Sequence, residues 1–571
     1  MNATSGATRP ASARMQVAGY AGLGELLRDA LVMHKAQTLL VEVNRKREVG
    51  RWTGWEIKSL GERFAARLQA MGVGPGDRVA VVMSNQSKWL ISAYGALFAG
   101  AVLVPLDYKL TPAEQLELLA HCRPAVVVVE YPIWRGWSDG PAGEVLVSEA
   151  PASEALGTAR RWEDLPDAAG VFVPRGREDE ATIVYSSGTG GTPKGCRLPH
   201  RAYIAQLDAL LARFPLAPGD RYFSILPTNH AIDFMVGFVG PFVCGATVVH
   251  QRTLRPELIR WTMRAYRVTH MAVVPLILEA FKRAVDEKLD ALSGWRRRLA
   301  DTLVAANARL TERRPQHAVS SRLLKPVHDA FGGSLRAMFC GGAYTDRALA
   351  EFFYDLGLPV VIGYGTTEAC TVITVNGLTP WRGDSVGDVV DGVEVRLHEP
   401  DAAGVGEVQV RGPTLMLGYL DAPEATEAAF LDGWLRTGDL GRFDASGHLH
   451  LVGRQKDMIV TAGGKNVYPD DVAYAFRGLE AEELTVFAEN YLWPARTMQD
   501  ERLVLVVRGE VGADLLRRVA EKNRRLPDFK RVSAVLEWRD EFPHTASMKL
   551  KRGVLADAIR ATKERSDAVV L

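Results

Sequence analysis

The sequence predicts a multidomain α/β protein, and three observations carry that reading. At 571 residues the chain is longer than one ordinary hydrophobic core supports. From Tyr20 to about Val173, helix-spaced apolar stretches alternate with short β-branched runs, the pattern of helices packed on a mostly parallel sheet. A strand-like run, Thr182 to Tyr185, then opens straight into a loop of small residues, Ser186-Ser187-Gly188-Thr189-Gly190-Gly191.

Taken in order, residues 1–18 are small and polar without an apolar core, so they read as a disordered tail and not as a secretory leader. Gly54 to Met71 has helical spacing. Arg78 to Met83 and Ala125 to Glu130 are short apolar runs that fit buried strands. Trp89 to Gly100 reads as a helix and Ala101 to Pro105 as the strand after it; Leu90 to Leu106, the most apolar window, is too interrupted by Tyr94, Gly95 and Gly100 for a membrane span. Residues 133–165 carry little signal. Ala202 to Arg213 is helical, Val268 to Pro275 is a strand, and 279–330 is long, helical and strongly charged. There Leu289, Leu292, Leu299 and Leu303 share one face. Arg296, Arg297 and Arg298 crowd another, as a solvated face or as a patch for a membrane surface or a phosphate.

Composition narrows the function. Apolar content of 47% and charged content of 24% are those of a soluble globular protein. A net charge of +1 argues against a general nucleic-acid binder. Five widely spaced cysteines without a CxxC pair exclude a disulfide framework and a zinc site, and point to a reducing compartment. A cytoplasmic protein without a transmembrane segment is expected.

The loop after Tyr185 carries the first chemistry. Backbone N–H groups and hydroxyls at such a turn suit the oxygens of a polyphosphate, and Lys194 after Pro193 adds a point charge for the same anion. It is not a Walker A loop, because Gly-Lys-Ser/Thr is absent. The stretch Thr182 to His200 resembles the phosphate-binding signature of the AMP-forming acyl-CoA synthetase (adenylate-forming) family, with Gly190 where a threonine is usual. Four later stretches match that family in order: Cys340 to Ala343, Val360 to Ala369, Trp434 to Asp439 and Gly453 to Pro469. Phe542 to Arg552 matches its terminal motif, with Met548 in place of the usual glycine. The resemblance spans about residues 20–560, nearest to the long-chain fatty acid–CoA ligase branch.

The resemblance implies a large N-terminal adenylating domain, 19–455, of α/β subdomains plus a β-barrel-like subdomain. A small mobile α+β C-terminal domain, 456–571, follows. It implies ATP, Mg²⁺ and coenzyme A acting on a small-molecule carboxylic acid, in two steps through an acyl-AMP. ATP and AMP would be held by Ser186, Ser187, Gly188, Thr189, Gly190, Gly191, Lys194, Gly342, Ala343, Tyr364, Gly365, Thr366, Asp439 and Arg454. Catalysis would fall to Lys549, Thr367 and Glu368, with Lys551 as the competing lysine. Glu368 and Ser186 would carry the metal. His230, with Phe234, Gly237 and Phe238, would line or gate an apolar acyl tunnel, although a lone histidine after a strand is commonly structural. Lys456 would be the hinge, and Gly463, Gly464 and Lys465 the thiol channel. An acyl carrier protein as acceptor, a homodimer and a non-catalytic binding homologue stay open, with a luciferase-type oxygenase more remote.

Overall fold

The computed structural model describes residues 15–138, 140–186, 193–460, 466–479, 481–493, 502–544 and 550–571. Of the expected tail, residues 15–18 belong instead to the ordered fold: Val17 begins a short 3₁₀ turn, Val17–Gly19, and is 2% exposed in the core.

Two large sheets dominate. The first has eight strands, with Arg78–Val82, Val102–Pro105, Val126–Glu130 and Glu144–Ser148 pairing in parallel. Glu180–Ser186 joins Val102–Pro105 in parallel and returns antiparallel as Lys194–Pro199. The second has nine strands. Thr38–Asn44, Thr247–Gln251, Arg221–Ser224, His270–Val273, Ala337–Cys340 and Val360–Tyr364 run parallel through its middle. The near-continuous apolar strands follow from this arrangement, since a parallel sheet is covered on both faces.

Between the sheets lie the helices Leu23–Met33, Gly54–Ala70 and Ser87–Phe98. Every residue of the last except Lys88 is buried. One apolar cluster joins these helices to Val79, Leu103 and Val126 of the first sheet and to Leu40, Val248 and Val361 of the second. The sheets therefore share a helical layer, which fixes the separation of their strand ends.

A five-stranded antiparallel sheet, Glu394–His398, Gly406–Arg411, Phe430–Leu431, Trp434–Phe443 and Leu449–Arg454, occupies the position of the expected barrel-like unit. The chain closes with a four-stranded mixed sheet, Glu483–Ala488, Leu503–Arg508, Val532–Trp538 and Val569–Val570, with its own apolar clusters. Among the described residues no helix is long and apolar enough to cross a membrane.

The charged region departs from one continuous face. The helices Pro275–Asp290 and Gly294–Thr311 are separate, with Ala291 to Ser293 between them. The break resets the helical phase, so Leu289 and Leu303 pack against the second sheet's core while Leu299 stays 49% exposed.

Candidate active site

The parallel strands deliver their carboxyl ends to one cleft of about 2630 Å³, walled on the far side by the C-terminal module. Ligands of open α/β sheets bind at such strand ends. Ser186, Lys194, His230, Gly342, Ala343, Tyr364, Gly365, Thr366, Thr367, Glu368, Asp439, Arg454 and Lys456 all line it. Residues more than 250 positions apart in the chain are thereby brought together.

Two polar groupings organise the cleft. In the first, the Tyr419 hydroxyl donates to Glu368 Oε1 at 3.0 Å and the Ser186 hydroxyl reaches the same oxygen at 3.5 Å. Lys194 Nζ stands 4.9 Å from the centre of the Tyr419 ring. Burial and the Glu368 carboxylate push the Tyr419 phenol and the Cys196 thiol upward, so both stay neutral near pH 7. In the second, Asp439 Oδ2 accepts from the Tyr364 hydroxyl at 2.7 Å while Arg454 Nε lies 3.1 Å from Oδ1. Asp439 is only 6% exposed, and each carboxylate oxygen keeps capacity for a further donor.

The backbone between these groupings is tightly constrained. A Cβ on Gly365 would stand 1.7 Å from the Thr371 carbonyl oxygen, so only glycine permits the turn from Tyr364 to Thr366. The Thr366 hydroxyl is buried on the cleft wall without a hydrogen-bond partner among the described residues. That leaves it available for a bound oxygen.

Of the four residues expected to line an acyl pocket, only His230 lines this cleft. His230 and Asn229 face the cleft, with His230 Nε2 4.0 Å from Asp107 Oδ2. Phe234, Gly237 and Phe238 do not line it: Phe234 is 2% exposed, Phe238 is fully buried, and both rings pack edge-on against Trp89. The stretch they occupy turns into the shared helical layer, so its apolar side chains serve the core. Gly237 faces the buried Asp233 carboxylate, where a Cβ would sit 2.4 Å from Oδ1.

Ser187, Gly188, Thr189, Gly190, Gly191, Gly463, Gly464, Lys465 and Lys549 lie outside the described residues. The residues that bracket Lys549, His544 and Leu550, form a β-bridge with each other and both line the cleft. Lys551 lies close enough to Glu114 across the cleft to help hold that carboxyl below its usual range, an effect led by hydrogen bonds from Thr111. Tyr419, which ties Lys194 to Glu368, has no role in the sequence reading. Its signal is position: the strand Gly418–Tyr419 pairs with the strand Lys194–Pro199, which begins at Lys194 itself.

Comparison with known proteins agrees with this geometry. A family model described as "AMP-binding enzyme" matches residues 29–420, well over half of the chain. The chain belongs to the AMP-binding enzyme family. Long-chain-fatty-acid–CoA ligase FadD15 of Mycobacterium bovis is 30% identical over 437 residues, covering 71% of this chain and 70% of that protein. Feruloyl-CoA synthase of Amycolatopsis is 29% identical, covering 86% and 90%. Among solved structures, the anthranilate CoA ligase AuaEII in complex with anthranoyl-AMP superposes with a TM-score of 0.75 at 22% identity, over 95% of this chain and 99% of that one. That likeness concerns the fold.

Proposed function

We propose that this enzyme is an ATP-dependent carboxylic acid–CoA ligase that works through an acyl-AMP, on a fatty or other apolar acid. The observation that carries the reading is the convergence of Lys194, Glu368, Tyr364, Asp439 and Arg454 on one cleft at the ends of parallel strands. The relatives named as long-chain fatty acid and feruloyl ligases support an apolar acid.

In the first step the substrate carboxylate oxygen attacks the α-phosphorus of ATP. An acyl–O–P bond forms and the bond to the pyrophosphate oxygen breaks. Both reactants are anions, so positioning and neutralisation of charge supply the acceleration. Lys194 offers one cation at the phosphates. Asp439 and Arg454 suit the ribose, Tyr364 the adenine ring, and the unpartnered Thr366 hydroxyl the carboxylate or phosphate oxygens. Glu368 and the Ser186 hydroxyl form an all-oxygen set that fits Mg²⁺, a hard cation commonly held by one or two carboxylates plus substrate phosphates. Bound there, the ion would supply further positive charge to the polyphosphate. In the second step a thiol sulfur attacks the acyl carbon, its proton leaves to solvent, and AMP departs. A turn of the C-terminal module about Lys456 would exchange Lys549 for the thiol channel at Gly463–Gly464 between the steps. A cytoplasmic setting suits the free thiols of all five cysteines.

The test is acid-dependent ATP–pyrophosphate exchange over C2 to C18 and aryl acids, followed by coenzyme A and mass spectrometry of the thioester. Exchange followed by acyl-CoA is expected. Exchange without acyl-CoA would move the acceptor to a carrier protein, and no exchange with any acid would sink the ligase reading.

A further inference from the structure

The helix Gly294–Thr311 buries one side and leaves the other bare. Leu303 and Val304 pack against the second sheet's core, and Asn307 and Thr311 are buried. On the open side Trp295 is 68% exposed, Leu299 49% and Leu310 57%. These three fall within about 60° of one another around the helix, and Thr302, Arg298 and Arg309, all exposed, continue the same strip. Arg296 lies over the Trp295 ring at 5.6 Å. No carboxylate enters the strip: Asp301, the helix's acidic residue, lies outside it and is bonded to Arg297 at 3.0 Å.

We infer that this strip docks the enzyme on an anionic lipid surface. Its composition decides the occupant. An interfacial helix presents Trp and Leu at the level of the lipid headgroups with arginines beside them, and the unopposed cations complement anionic headgroups. The helix is about 27 Å long, so its strip lies along a bilayer plane and does not cross it. The preceding helix, Pro275–Asp290, contributes Leu276, Glu279, Lys282 and Arg283 to the cleft wall. Docking through this strip would hold the helix adjoining the cleft wall beside the surface where an apolar acid is dissolved, and so act on substrate delivery, not on the chemical steps.

Co-sedimentation of the full chain with vesicles tests this, using phosphatidylcholine alone or mixed with phosphatidylglycerol. Binding is expected only to the mixed vesicles and is lost at high salt. Each arginine contributes about fivefold near an anionic surface, so R298Q/R309Q weakens the partition by more than tenfold. W295A/L299S weakens it comparably and abolishes the part of the tryptophan quenching by brominated lipid that Trp295 contributes. Both variants keep wild-type ATP–pyrophosphate exchange with a short soluble acid. The inference is overturned if the wild-type chain stays in the supernatant with mixed vesicles, or if the variants sediment as it does. A dimer that W295A/L299S dissolves, with no vesicle binding, would instead assign the strip to a second copy of the chain.

Discussion

Asp233 sits in an environment far from that of an ordinary aspartate. It is fully buried, accepts hydrogen bonds from Ser224 Oγ at 2.6 Å, Thr228 Oγ1 at 3.0 Å and Tyr222 at 3.4 Å, and pairs with no cation among the described residues. Burial pushes its carboxyl up to about 7, against the partial relief of those three donors. The group matters to the site because Thr228 belongs to the turn that sets Asn229 and His230 on the cleft wall. Between pH 4 and 7 the folded chain holds a proton that the unfolded chain has lost, so stability falls as pH rises through that window and levels above it. The displacement corresponds to roughly 4 kcal/mol at most. Asp233→Asn has no proton to lose. Its melting temperature relative to wild type should therefore climb between pH 4 and 7, measured by calorimetry across buffers. A constant difference would mean the carboxyl titrates normally.

At the scale of elements, Asp233 explains a local irregularity. The short helix Ala231–Phe234 passes into a π-helical turn, Met235–Val239, and Gly237 stands where that turn faces the carboxylate. Gly237→Ala would force the turn or the carboxylate to move, at about 1–3 kcal/mol. In Asp233→Ala the same change should cost less, so a double-mutant cycle by urea unfolding should show coupling. Additive costs would mean the close approach is not what the glycine serves. This region also shows where the sequence stops being readable. The runs Arg78–Val82 and Val126–Glu130, the helices Gly54–Ala70 and Ser87–Phe98 and the strand Glu180–Ser186 are legible because local period and burial agree there. Glu144–Ser148 and Arg160–Arg161 are not, since short sheet members among Gly, Ala and Ser are specified by their neighbours, not by their own pattern. Phe234 and Phe238, expected from the family resemblance to line an acyl pocket, pack edge-on against Trp89 in the shared helical layer, a placement that a motif match does not specify. In the site, Glu368, Asp439 and Arg454 are legible through motif spacing. Tyr419 is not, because its role arises from pairing with a strand more than 200 residues earlier.

For the whole molecule the decisive feature is how the C-terminal module sits on the rest. Tyr474 donates to Asp346 Oδ1 at 2.7 Å and packs edge-on against Tyr344, while Arg477 lies 3.7 Å from Glu279 and 3.9 Å from Asp346. These contacts form a latch between the module and two parts of the second sheet's layer, the segment 344–346 and the helix Pro275–Asp290. In the latched orientation His544 and Leu550 lie on the cleft wall, and the proposed division of the two half-reactions predicts that this orientation favours adenylation over thiol attack. Tyr474→Phe removes one hydrogen bond to a carboxylate, about 1 kcal/mol or a fivefold shift between orientations. Single-turnover assays of the two half-reactions should then separate. Acyl-AMP formation should slow by about that factor, while thioester formation from supplied acyl-AMP should hold steady or rise. Lys549→Ala should give the same asymmetry in extreme form, abolishing adenylation and sparing the thiol step. If Tyr474→Phe slows both half-reactions equally, the latch only stabilises the module, and the orientation in which Lys549 acts must be held by other contacts.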